Sequence, residues 1–262
     1  MSSALVKVFG HRATLIHGDT LVLDRWRWIC QRLPRSDQRP ALADVGCGTG
    51  AFTIGAALRG YRALGLSWDE RNQQVAAERA VMCGAGNASF EVLDVRRLDS
   101  KADLRGVFDV VVCTENIEHI LDDRKLMRDI AACLKPGGRL LLTTPYEHYR
   151  PITAGDEGPF SRIEDGGHVR RGYTEARLQE LCQEAGLSVD AFSYCSGILS
   201  QKITRLFRTV SRIHPLIGWA SILPLRILPP LFDSWLTNRL QWPFYSICLE
   251  SHKTSPTLCI PV

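Results

Sequence analysis

Residues 41–50, Ala-Leu-Ala-Asp-Val-Gly-Cys-Gly-Thr-Gly, constrain this chain more than any other stretch. A short apolar run leads directly into three alternate glycines, and residues 52–58 then take helical spacing. Glycines at 46, 48 and 50 let the backbone turn tightly and approach a ligand where a Cβ would clash. The free N–H groups of the helix that follows favour a polar or anionic group at its start. A plain strand-to-helix turn and a nucleotide-binding loop both fit this stretch taken alone.

The rest of the chain repeats the strand-then-helix pattern. Residues 62–66, 89–93 and 107–113 are short and apolar, which suits strands of a parallel sheet buried on both faces. Residues 69–83 and 122–134 have helical spacing between them, residues 135–138 (Lys-Pro-Gly-Gly) read as a turn, and residues 139–144 as a fifth strand. Thr174 as N-cap and Gly186 as stop bracket another helix, followed by strands at 187–194 and 244–250. This alternation predicts an α/β fold: a doubly wound, Rossmann-like sheet of seven mostly parallel strands, with ligands at the carboxyl ends of its strands. Before the glycine turn, Leu21, Leu23, Trp26, Ile29, Cys30 and Leu33 share one face of a helix over residues 20–33. That segment reads either as a lid or as a helix packed on the sheet. A net charge of +4, from 32 basic and 28 acidic residues, is too mild to imply nucleic acid. Nine cysteines lie singly, none in C-x-x-C, as reduced thiols do in a cytoplasmic protein. The first residues lack the long apolar core of a signal peptide, so export is not expected.

With Asp44 two residues before the first glycine, the G-x-G-x-G turn resembles the first motif of the class I S-adenosylmethionine-dependent methyltransferases. The resemblance covers residues 40–195 and implies S-adenosylmethionine as cofactor. It assigns Asp44, Gly46, Cys47, Gly48 and Gly50 to the cofactor turn. Ser67 stands where the family usually has an acidic residue for the ribose hydroxyls, with Trp68 available to pack on the adenine and Asp69 as a substitute for the acid. Asp94, followed by Val95, matches the acceptor for the adenine amino group, and Thr114 closes the fourth strand beside the cofactor.

Residues 114–119, Thr-Glu-Asn-Ile-Glu-His, follow that strand directly. Were this segment a helical turn, Glu115, Glu118 and His119 would share one face at i, i+3 and i+4. Such a set suits a divalent cation, and it equally suits carboxylates offsetting a helix dipole beside a core histidine. Glu-x-x-Glu-His with a later His resembles two metal-dependent O-methyltransferase groups, those of ubiquinone biosynthesis and those acting on the 3′-terminal ribose of small RNAs. That resemblance implies magnesium, manganese, cobalt or zinc held by Glu115, Glu118, His119 and His168, with His119 and His168 as catalytic groups. His168 lies in the polar loop Asp165-Gly166-Gly167-His168; His148 competes for the fourth position, and Tyr146, Tyr149 and Tyr173 are candidates to line the pocket.

Three domains follow: an N-terminal helical segment (1–40), a methyltransferase domain (41–197 with 243–252), and an apolar insertion between the last two strands (198–242). In the insertion, Lys202, Arg205, Arg208 and Arg212 share a helix face opposite Ile203, Leu206, Phe207, Val210 and Ile213. Prolines 215, 224, 229 and 230 break the apolar run that follows, which disfavours a membrane-spanning helix. A cap over a hydrophobic or lipid-like substrate, a homodimer surface, and peripheral contact of residues 198–232 with the inner face of a membrane all fit. The expected activity is O-methylation of a hydrophobic hydroxylated acceptor. The alternatives are a small-RNA ribose methyltransferase, although the aromatic pattern of an RNA-binding module is missing, and an inactive cofactor-binding partner subunit.

Overall fold

The computed structural model describes residues 3–16 and 19–254; His17 and Cys259 lie outside them. Three helices, α1 (Ser3–Phe9), α2 (His11–Thr14) and α3 (Val22–Arg32), precede the first strand. Then β1 (Ala41–Val45), α4 (Ala51–Ala57), β2 (Arg62–Ser67), α5 (Glu70–Met82), β3 (Ala88–Val92) and β4 (Phe108–Thr114) alternate. They are followed by α6 (Asp123–Cys133), β5 (Leu134–Pro145), α7 (Glu175–Glu184) and β6 (Leu187–Cys195). The insertion carries α8 (Ile198–Val210), α9 (Pro215–Ile222) and α10 (Ser234–Arg239), and β7 (Ser246–Lys253) closes the sheet.

The seven strands take the order β3-β2-β1-β4-β5-β7-β6, with only β7 antiparallel to its neighbours. Chain order reverses between β1 and β4, so the crevice at their carboxyl ends is the switch point where such sheets bind ligands. Successive strand residues face opposite sides. Ala41, Ala43, Val45, Val111, Leu140 and Leu142 pack under α6 and α7, while Leu42, Val110, Val112 and Leu141 pack under α3 and α4. Thr174 caps its helix as expected, accepting from Arg177 N at 3.2 Å, and the structure adds caps at Asp69, which accepts from Asn72 N at 3.0 Å, and Asp122, which accepts from Lys125 N at 2.8 Å. Gly186 ends α7 in the left-handed region at φ +73°.

Two expectations need correction, and one pair of alternatives is resolved. The turn at 135–138 is absorbed into β5: Leu134 already pairs with Phe108, and the register then jumps to Val110 against Arg139, an irregularity that Gly137 accommodates at φ +74°. On α8 the buried side chains are Ser200, Gln201, Ile203, Thr204 and Phe207, so Leu206 and Ile213 point to solvent instead of joining the packed face. The segment over residues 20–33 is no loose lid, because Trp28, Ile29 and Leu33 are core residues.

Ile130 of α6 is fully buried against the sheet. Ile130→Ala should therefore lower stability by about 2–5 kcal/mol, seen as a reduced urea midpoint at constant m-value. A loss under half a kilocalorie would mean that this face of the sheet is loosely packed.

Candidate active site

At the end of β1 the chain enters the glycine turn with Gly46, Gly48 and Gly50 at φ +82°, +51° and +78°. Their reasons differ. A Cβ on Gly46 would lie 2.6 Å from Asn116 Cγ, and one on Gly50 would lie 2.7 Å from Ala76 and Phe90, so both permit close packing. A Cβ on Gly48 would meet nothing within 4 Å of the protein, because Gly48 faces a cleft of about 410 Å³. Gly46, Ser67, Trp68, Asp94, Val95 and Asn116 line the same cleft. A backbone cradle beside open space, with polar groups at both ends, fits a nucleoside-bearing cofactor. A larger groove of about 760 Å³ between α5 and β3 contains none of the glycine-turn or Glu–His residues.

Not every residue assigned to the cofactor faces this cleft. Asp44 is fully buried beneath the turn, where one oxygen accepts from Thr53 Oγ1 at 2.7 Å and Oδ1 has no partner. Burial raises its carboxyl to about 6. The Cys47 thiol packs near Gln73 Nε2 at 3.6 Å, and burial raises its pKa as well. Thr114 sits within β4 opposite Thr143 and does not line the cleft. Asp94 holds Arg96 through Nε contacts of 2.9 Å, and that guanidinium keeps the carboxyl below its usual range. Arg96 also reaches Glu164 at 2.7 Å, and Glu164 accepts from Leu121 N at 2.6 Å, which ties the loop after β5 to the cleft rim.

The segment after β4 is not the helical turn that the spacing suggests. Glu115 is left-handed at φ +47°, and only Ile117–His119 form a short 3-10 turn. Glu115 Oε2 therefore pairs with Arg25 Nη2 at 2.9 Å, while Oε1 accepts from Thr143 Oγ1 at 3.1 Å and Ser246 Oγ at 3.3 Å. Arg25, on α3, is 6% exposed and was missed in the sequence; its only signal was its spacing, four residues after Leu21 and four before Ile29 on the apolar face of a helix that also carries Arg27 and Arg32.

The structure instead brings together Glu118, His119 and His168, each offering an atom within 4.8 Å of the others. Glu118 is 0% exposed; Oε2 accepts from Thr144 Oγ1 at 3.1 Å and Oε1 has no partner. Burial first and Glu115 second push its carboxyl well above the usual range. His119 Nδ1 donates to Gly167 O at 3.0 Å, a bond that leaves Nε2, 4.0 Å from Glu118 Oε1, with a free lone pair. The His119 and His168 rings meet edge to face at 4.6 Å. Burial, with His119 beside it, lowers the His168 imidazole to about 4. A buried orphan carboxylate oxygen converging with two imidazoles fits a divalent cation. His119 lines the cofactor cleft, and His168 lines a second cavity of about 520 Å³ with Tyr149, Asp156, Phe160 and Tyr245. His148 is exposed against Tyr146 in a separate cleft, and Tyr173 is buried with its hydroxyl on Asp123 and Ile117 O.

Comparison with known proteins identifies the family. Residues 22–191 match the family described as Methyltransferase domain. The ubiquinone biosynthesis O-methyltransferase of Marinobacter nauticus is 27% identical over 186 residues, which cover 68% of this chain and 76% of that protein. Its counterpart in Leptothrix cholodnii is 32% identical over 169 residues, 63% of this chain and 71% of the relative. Among solved structures, the [4+2]-cyclase SpnF superposes with a TM-score of 0.60 at 20% identity, covering 89% of this chain and 81% of its own. The geranyl diphosphate C-methyltransferase of Streptomyces coelicolor, solved with Mg²⁺ and S-adenosyl-L-homocysteine, gives 0.59 at 16% identity, covering 88% and 78%. At these identities the superpositions speak to the fold alone.

Two measurements test the glycine turn. Gly48→Val places a branched side chain in the cleft, so S-adenosylmethionine binding should vanish in calorimetry while far-UV circular dichroism is unchanged; undiminished affinity would displace the cofactor from this turn. Asp44, with its pKa raised from 3.8 to about 6, supports stability fully below pH 3.8 and loses that support as pH rises through 6. The stability of wild type relative to Asp44→Asn should therefore fall by up to about 3 kcal/mol between pH 4 and 7. A flat difference in urea titrations would mean that Asp44 ionises freely.

Proposed function

The chain belongs to the methyltransferase-domain family, and from that premise we propose a hydroxyl oxygen as its methyl acceptor. It is an S-adenosylmethionine-dependent methyltransferase. In our reading the acceptor is a hydrophobic, hydroxylated small molecule or lipid-like compound held in the cavity beside His168, and a divalent cation at Glu118, His119 and His168 assists. The observation that carries this reading is the partnerless, fully buried Glu118 Oε1 converging with two imidazoles between the cofactor cleft and the second cavity. The similarity to ubiquinone biosynthesis O-methyltransferases supports oxygen as the nucleophile.

S-Adenosylmethionine supplies a methyl group on a sulfonium, a good leaving group, so the protein's main task is alignment and an ionised nucleophile. A divalent cation bound here supplies Lewis acidity that lowers the pKa of a hydroxyl. The residues do the rest. Gly46 and Gly48 bring backbone against the cofactor, and Thr144 and the His119–Gly167 bond fix the first ligand carboxylate and imidazole. Arg25 offsets the charge of Glu115, so that Glu118 does not face an uncompensated neighbour. His168 is unprotonated at physiological pH and presents a lone pair to a metal or to the hydroxyl proton. RNA is the weaker reading, because the cavity lining holds Asp156 and Asp165 and no Lys or Arg.

A tritiated-methyl assay on an alkyl-substituted catechol tests the proposal. Chelator, Glu118→Ala and His168→Ala should each reduce transfer by about 10²-fold or more, with S-adenosylmethionine affinity nearly unchanged. Added divalent metal should rescue the chelated enzyme and neither variant. Full turnover in chelator would remove the metal from the reading, and no transfer with intact cofactor binding would favour the partner-subunit alternative.

A further inference from the structure

The insertion between β6 and β7 presents apolar surface that its own packing does not need. Ile203, Phe207, Trp219 and Ile222 form its interior. Around them, ten of the eighteen large apolar side chains exposed among the described residues lie between positions 206 and 240. Ile213 is 79% exposed, Leu231 68%, Ile227 67% and Trp235 66%. Isolated apolar residues are common on surfaces, but such a concentration within one small subdomain marks a contact site.

Charge selects the occupant. The exposed charged residues of segment 198–242 are Lys202, Arg205, Arg212 and Arg239, all cationic. The segment's single acid, Asp233, is buried and receives the backbone N–H groups of Gly197 and Leu199 at 2.8 and 2.7 Å. A second copy docking through the same face would set cation against cation, since a two-fold interface pairs a patch with itself. An anionic bilayer instead satisfies both features at once: apolar side chains enter the headgroup boundary while arginines meet lipid phosphates. Among the described residues no single helix is long and apolar enough to cross a membrane. The helices over 215–222 and 224–239 are bent by 40° at their junction, and Trp219 and Ile222 turn inward. That geometry suits lying on a surface.

We propose that residues 202–240 form a docking surface for anionic lipid bilayers. Docking there sets the second cavity near the membrane, because Arg208 of α8 holds Asp156 of its rim at 2.9 Å.

The test is co-sedimentation of the full chain with vesicles of phosphatidylcholine alone and of equimolar phosphatidylcholine and phosphatidylglycerol. Strong pelleting is expected only with the anionic vesicles, released as sodium chloride is raised. Phe232→Ser combined with Trp235→Ser, and separately Arg205→Glu combined with Arg212→Glu, should each weaken binding by about tenfold or more. All four side chains are exposed, so folding, checked by circular dichroism, should be retained. Absence of pelleting, or equal pelleting with both vesicle types, would overturn the proposal. So would a vesicle-free dimer in sedimentation velocity that the Phe232/Trp235 variant dissolves.

Discussion

Two carboxylates withdrawn from water at the end of β4 organise much of this molecule. Removing an ion from water costs several kcal/mol even after relaxation, unless opposite charge and hydrogen bonds replace the lost solvent. Glu115 has Arg25, Thr143 and Ser246; Glu118 has Thr144 and, across one gap, two histidines. This need accounts for the hydroxyl residues at 143, 144 and 246, all of them 0% exposed, beside the apolar Leu142 and Ile247. It also draws in an element from far away in the chain: without α3 delivering Arg25, Glu115 would lie beside Glu118 with no cation. The helix before the sheet is thereby part of the site.

The same helix ties the insertion to that site. Asp24 and Arg25 are adjacent on α3 and serve two neighbours: Arg25 meets Glu115, while Asp24 pairs with Arg226 of the insertion and accepts from Ser196 Oγ at 3.0 Å. Asp233 holds the start of α8, and Arg208 further along α8 holds Asp156 on the loop that also carries His168. Two partly buried ion pairs, Asp24–Arg226 and Arg208–Asp156, thus connect the insertion to α3 and to the loop after β5, and Arg25–Glu115 joins α3 to the end of β4. Buried pairs of this kind add little net stability, but removing one partner leaves an unpaired charge, so they fix the relative placement of the elements they join.

The parts legible in the sequence were those decided by neighbouring residues. Strand and helix periods, the helix starts at Asp69 and Asp122, the cap at Thr174, and the glycine turn all depend on interactions within a few positions, and the seven-stranded sheet followed from their order. The misreadings arose where a distant contact overrode local spacing. A helical turn over 115–119 is a reasonable local solution, but the Arg25 ion pair and the strand hydroxyls hold Glu115 in a left-handed conformation that no nearby residue signals. The strand irregularity at Gly137 and the outward turn of Leu206 are likewise set by what lies across the sheet or around the insertion. His168 could be singled out by loop composition, whereas the exclusion of His148 required knowing that the backbone carries it into another cleft.

Fold alone would leave the acceptor open, since the similar structures include a [4+2]-cyclase and a C-methyltransferase solved with geranyl diphosphate. The second cavity narrows the choice. Its lining carries Asp156 and Asp165 and no lysine or arginine, and the guanidinium groups beside it are already engaged: Arg208 on Asp156, Arg171 on the Glu147 and Tyr149 carbonyls, and Arg25 on Glu115. A diphosphate placed there would meet two carboxylates and no arginine or lysine in the lining, and repulsion between like charges in a partly dry site amounts to several kcal/mol. A neutral hydroxylated ring meets no such penalty and gains aromatic contact with Tyr149, Phe160 and Tyr245. If the acceptor binds in this cavity, as proposed, the electrostatics of its lining favour an uncharged, ring-bearing molecule over a phosphorylated one.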